Sequence, residues 1–137
     1  MFNVNKTMTK TEHIQYWVKT AEHDIATAES LFDSRHFDWC LFIGHLVLEK
    51  MLKAHFVNDN DDVPPKIHDL IRLIEKTKLS PDEEMLLFLE KANYFCISAR
   101  YPDEKLKFYQ SCTTEYTIIQ FDKIKYYFEW LKSNLKY

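Results

Sequence analysis

The sequence predicts an all-α fold, an up-and-down bundle of four main helices plus a short helix, and three observations predict it. Gly44 is the only glycine in 137 residues, where average usage of about 7% would supply roughly ten. Architectures that turn tightly and often, such as sandwiches, barrels and hairpin meanders, are therefore disfavoured. Apolar residues recur at the helical period along most of the chain. With 46% hydrophobic and 15% aromatic residues, a single domain over 1–137 can fill one core without staples. Residues 1–9 are expected to be flexible.

The first helix is announced by Thr9 with Glu12 three residues on, a capping-box spacing, or alternatively by Thr11. Its buried stripe is Ile14, Trp17, Val18, Ala21, Ile25, Ala28, Leu31 and Phe32, and Asp33, Ser34 and Arg35 end it. The second helix, about Asp38 to Val57, carries Trp39, Leu41, Phe42, Ile43, Leu46, Met51, Leu52 and Phe56 over most of its circumference. A helix apolar nearly all round is central in its bundle or shared with a partner chain. Asn58 to Asp62 reads as a polar loop, and Pro64 and Pro65 bar helix. A short helix begins near His68 or Asp69. The next has Ser80 as N-cap, Pro81 at the first helical position and Glu83 at the third, and runs to the segment Ser98 to Asp103. A last helix opens near Thr113 and reaches about Leu135, burying Tyr116, Ile119, Ile124, Phe128, Leu131 and Leu135.

The composition excludes several chemistries. One glycine cannot build the dinucleotide fingerprint, the P-loop or a nucleophile elbow. A net charge of -3, from 18 basic and 21 acidic side chains, advertises neither nucleic acid nor an anionic membrane. Six histidines invite a metal, but none is followed by glutamate and no glutamate has a histidine three residues later, so neither helical metal pattern is present and no metal or other cofactor is expected. His13, His23 and His36 read as exposed. Cys40, Cys96 and Cys112 are odd in number and lie in apolar stretches, as buried thiols in a reducing compartment do. Met1 to Lys10 lacks an apolar signal region and no apolar run approaches the ~20 residues of a membrane span. A cytoplasmic protein without a membrane partner is the expectation.

Two polar clusters remain. On the second helix His45, Glu49 and Lys53 form an i, i+4, i+8 ladder beside Lys50, with His68 and Asp69 after the next loop. A salt-bridged helix face with a capping residue accounts for them equally. The second cluster is Arg100, Tyr101, Pro102 and Asp103. Arg100 could fork a phosphate, Tyr101 offer a stacking platform and Asp103 orient the arginine; alternatively Arg100 and Asp103 pair only with each other.

In these residues the chain resembles a HEPN domain, the small helical domain named for higher eukaryotes and prokaryotes nucleotide binding. The likeness runs from Trp17, Ala21, Asp24 and Ala28 through Phe42, His45, Glu49, Lys50, Leu52, Lys53 and Ala54. Pro65, His68, Asp69 and Leu70 continue it, then Ala99 to Asp103. The resemblance implies a helical bundle that pairs about a two-fold axis, with the polar residues near a cleft between protomers. Many such domains are encoded with a minimal nucleotidyltransferase, as its partner or as the toxin of a toxin-antitoxin pair. Others are metal-independent ribonucleases, carrying an arginine and, after four to six intervening residues, a histidine. Here those positions hold Lys105, Leu106 and Lys107, and the last histidine is His68. Lysine lacks a proton affinity near the pH of acid-base cleavage.

The expected function is thus a non-catalytic dimeric module binding a nucleotide, nucleic acid or a partner nucleotidyltransferase. The ligand would meet Arg100, Tyr101, Asp103, Lys50, Lys53, His45, Glu49, His68 and Asp69. A divergent ribonuclease using Arg100 with His45 or His68, and a purely structural dimer, are the alternatives. Trp39, Phe42, Leu46 and Met51 cover more of the second helix than one small bundle buries, which points to the homodimer.

Overall fold

The structure, a computed structural model, describes residues 8–137. Among them run six helices and no strand: α1 (Lys10–Asp33), α2 (Phe37–Asn60), α3 (Leu70–Glu75), α4 (Glu83–Arg100), α5 (Pro102–Ser111) and α6 (Thr114–Ser133). Of the segment read as flexible, residues 1–7 lie outside the described residues, and Thr9 caps α1 in a full capping box: its hydroxyl accepts the Glu12 N–H at 3.1 Å while its own N–H donates to the Glu12 carboxylate at 3.0 Å.

Helix α2 is the centre of the molecule. It packs against α1, α6, α4 and α3, touches α5, and buries 14 of its 24 residues. Its encircling apolar surface is therefore consumed largely within the protomer. Met51 is fully enclosed, Phe42 and Leu46 are half-buried, and Trp39 alone of the four expected interface residues is exposed. The larger exposed apolar groups lie on α4, α5 and α6. Gly44 sits where α6 crosses α2, and a Cβ there would collide with the Ile124 side chain. The one glycine thus serves helix packing rather than a turn. The left-handed positions go to Arg35 and Asp61 instead.

Four boundaries differ from the sequence reading. Helix α2 continues to Asn60, with Asp61 as its left-handed cap, because the polar residues read as a loop bond backbone from other segments. Asn58 donates to the Lys136 carbonyl, Asn60 to the Lys76 carbonyl, and Asp59 accepts the Lys78 N–H. Helix α4 is capped by Asp82, whose carboxylate accepts the Met85 N–H at 2.8 Å, rather than by Ser80. Helix α5 was not anticipated. Pro102 disfavours continuation of α4 but suits a first helical position, so Tyr101 ends one helix and starts the next. Phe108 is the single buried residue of α5, too little for a periodic signal. Lastly, α6 ends at Ser133.

Two burial expectations also reverse. Ile119 is exposed, because α6 turns Thr117, Gln120 and Phe121 inward there. His13 is buried beside Trp17, not exposed, whereas His23 and His36 are exposed. All three cysteines are free and buried, as expected.

Candidate functional site

Glu49 is the hub of the α2 ladder. It is buried, so its charge needs partners. One carboxylate oxygen accepts from Lys53 Nζ at 3.0 Å, and the other accepts from His68 Nδ1 at 3.0 Å. Lys53 is itself buried, with its ammonium over the Trp17 ring at 5.5 Å. The expected i, i+4 pair is thus an interior ion pair.

His45 is fully enclosed. Its Nε2 lies 2.9 Å from the His68 carbonyl, which can only accept, so Nε2 carries the proton. Nδ1 has no hydrogen-bond partner and stands 3.9 Å from Glu49. Burial pushes the imidazole below its ordinary value; the Glu49 carboxylate and the His68 carbonyl oppose the shift, and the Arg100 charge adds to it. His45 is therefore neutral at pH 7 and has no path to a ligand.

His68 is the opposite case. Its side chain is 52% exposed while its Nδ1 proton is held by Glu49. Nε2 meets no described hydrogen-bond partner, so an accessible imidazole is backed by a buried carboxylate. The segment is fixed on both sides. The His68 carbonyl is tied to α2. Asp69 caps α3, accepting from the Ile71 and Arg72 N–H groups and from Asn93 Nδ2 at 3.0 Å. Asn93 in turn accepts the Leu70 N–H at 2.9 Å, which joins α3 to α4.

About two turns of α4 beyond Asn93 stands Arg100. It is exposed, touches the Cys96 thiol, and is near enough to His45 and Cys96 for its charge to act on both. Burial pushes the Cys96 thiol up, so it is no nucleophile. No ion pair joins Arg100 to Asp103 or to any other carboxylate among the described residues, contrary to the structural alternative. Tyr101 is 59% exposed, and Asp103 lies in the first turn of α5, where a carboxylate complements the helix end.

The structure therefore brings His45, Glu49, Lys53, His68 and Asp69 into one network, with Arg100 beside it and Tyr101 and Asp103 following. Lys50 stands apart, its ammonium 2.6 Å from Asp24 on α1. Asn93 escaped the sequence reading, and Cys96 was read only as a buried thiol, not as a neighbour of Arg100. Asn93 gave one local signal, a polar residue next to the core residue Ala92. Among the described residues no group of three or more His, Cys, Asp or Glu could hold a metal ion. No helix of those residues is long and apolar enough to cross a membrane.

The family model of the HEPN domain matches residues 14–131, which takes in every residue of this network. No curated protein and no solved structure matches the chain.

Proposed function

The chain belongs to the HEPN domain family, and from that membership we propose that it is a two-fold homodimer binding a phosphorylated ligand, a nucleotide or a stretch of RNA, at Arg100 and Tyr101 without cleaving it. Arg100 carries the reading: an exposed guanidinium with no carboxylate partner, followed by an exposed aromatic ring. A free guanidinium fork suits phosphate, and the adjacent ring suits a base. His68, exposed and bonded to Glu49, offers a further polar contact. Glu49, Lys53, His45 and Asp69 hold that contact in place, and Lys50 braces α1 against α2.

Pairing is supported by the apolar groups left uncovered on α4 and α5: Tyr94, Ile97 and Tyr101 at helical spacing, then Leu106 and Tyr109. Within this reading the domain is single over 1–137, its main helices run in up-and-down order, and it works in the cytoplasm. A nucleotidyltransferase, in a toxin-antitoxin pair, is the partner that fits.

The test is a titration of nucleotides and short oligonucleotides at two salt concentrations, with thermal unfolding alongside. A charge-assisted bond to phosphate is worth roughly 1.5 to 3 kcal/mol, so Arg100→Ala should cost ~10- to 150-fold in affinity at nearly unchanged stability. Arg100→Lys keeps the charge and loses the fork, and should fall between. No binding by the wild type, or equal binding by Arg100→Ala, would leave a purely structural dimer.

A second reading has its own observation. The exposed, Glu49-backed imidazole of His68 could serve as general base with Arg100 as the phosphate-holding group, in place of the missing spaced histidine. RNA cleavage that survives stringent purification and disappears in both His68→Ala and Arg100→Ala would establish this divergent, metal-independent ribonuclease.

A further inference from the structure

A second surface lies between α3 and α4, reaching Asp69 and Asn93 of the network at one end but not Arg100. It is a groove of about 740 Å³ with an aliphatic floor of Ile71, Ile74, Leu79, Leu86 and Leu87. Leu87 is 61% exposed, Ile71, Leu79 and Leu86 are half-buried and Ile74 is buried, so the groove keeps part of its aliphatic lining open. The rim carries Glu75, Glu83 and Glu90, and no lysine or arginine lines the groove.

These carboxylates are exposed and none forms an ion pair among the described residues. Intrinsic stability explains only one of them. Glu83 complements the N-terminus of α4, whereas Glu75 ends α3, where the helix dipole disfavours an anion, and Glu90 stands mid-helix. A partly open aliphatic floor inside an acidic rim is complementary to a ligand that is apolar along one stripe and cationic along its flanks. Nucleic acid is the wrong sign, since its phosphates would face three carboxylates.

We propose that this groove docks a lysine- or arginine-rich amphipathic helix of a partner protein, with its apolar stripe on Leu86 and Leu87 and its cations at Glu75, Glu83 and Glu90.

The probe is a synthetic helical peptide with a leucine stripe and lysine flanks, labelled for fluorescence anisotropy, against a counterpart with glutamate flanks. With the full-length protein, the lysine peptide should bind and the glutamate peptide should not. Glu75→Lys with Glu83→Lys should weaken the lysine peptide at least ~10-fold, about 1.4 kcal/mol, and Leu87→Ser should weaken it with the charges intact. Reversal of remote carboxylates, Glu115→Lys with Glu129→Lys, should leave binding unchanged, as should Arg100→Ala, so the groove and the phosphate site fail or stand separately. Three results overturn the proposal: no binding by the wild type, equal loss in the remote reversal, or a groove reversal that lowers the oligomeric mass in light scattering, which would make a second copy the occupant.

Discussion

At the residue scale the chain keeps its polar side chains inside by fixing one proton at a time. His45 and His55 both donate Nε2–H to backbone carbonyls, of His68 at 2.9 Å and of Leu131 at 2.8 Å, and burial is the largest cause lowering both proton affinities. The sign of the pH effect follows. An unfolded histidine takes up its proton near pH ~6.5, the folded one only at lower pH, so below that value the unfolded state binds more protons and gains stability. Stability should be level just above neutrality and fall as pH drops from about 6.5 toward 5, by up to ~1.4 kcal/mol per pH unit for each such histidine. Urea unfolding across that range checks it. His55→Gln, which keeps a donor for the Leu131 carbonyl, should flatten part of the slope; a profile without slope between pH 7 and 5 would refute the protonation assignment.

At the scale of elements, the legible parts were those that local chemistry decides. Thr9 with Glu12, Asp69 before Leu70 and Thr113 before α6 all cap helices as their residue types imply, because each bond closes within three residues. What was not legible depends on distant partners. The last turn of α2 is stabilised by groups at Lys76, Lys78 and Lys136, and α5 rests on one buried ring. The same division runs through the site. The Glu49–Lys53 pair follows from helical spacing, but the link from Glu49 to His68 crosses a loop, and the one from Asp69 to Asn93 joins two helices. Gly44 is the sharpest case, since nothing in the sequence says that Ile124 sits over it. Alanine there gains about 1 kcal/mol of helix propensity but overpacks a closed contact, typically ~1–3 kcal/mol. Gly44→Ala should therefore destabilise by about 1 kcal/mol. Ile124→Val, which removes the Cδ1 methyl, should recover stability in the double variant although it costs some alone; a strictly additive cycle would show that the two positions do not touch.

For the whole molecule the open question is how much of its surface belongs to the protomer. The encircling apolar residues of α2 pointed to a partner, yet the protomer uses most of them itself: Met51 and the rest of the α2 core are covered by α1, α4 and α6. Uncovered groups lie on α4, α5 and α6; those nearest Arg100 in sequence are Tyr94, Ile97, Tyr101, Leu106 and Tyr109, each exposed by 42% or more, while α6 carries Ile118, Ile119 and Tyr126. Pairing along the α4 and α5 face would bring Arg100 of each copy to the interface, since Arg100 lies between Ile97 and Tyr101 at the end of α4. It would also make a shared cationic cleft from a chain whose net charge is -3. Light scattering at micromolar concentration should therefore give a dimer. Ile97→Asp should shift it to monomer, because a charge would be desolvated at each copy of the interface, while an exposed site leaves the protomer's own unfolding within about 0.5 kcal/mol. The same variant should lose affinity for oligonucleotides more than for mononucleotides, as one Arg100 suffices for a single phosphate and a longer backbone needs both. A wild-type monomer, or a dimer indifferent to Ile97→Asp, would move the interface elsewhere and return Arg100 to acting as a single, unpaired fork.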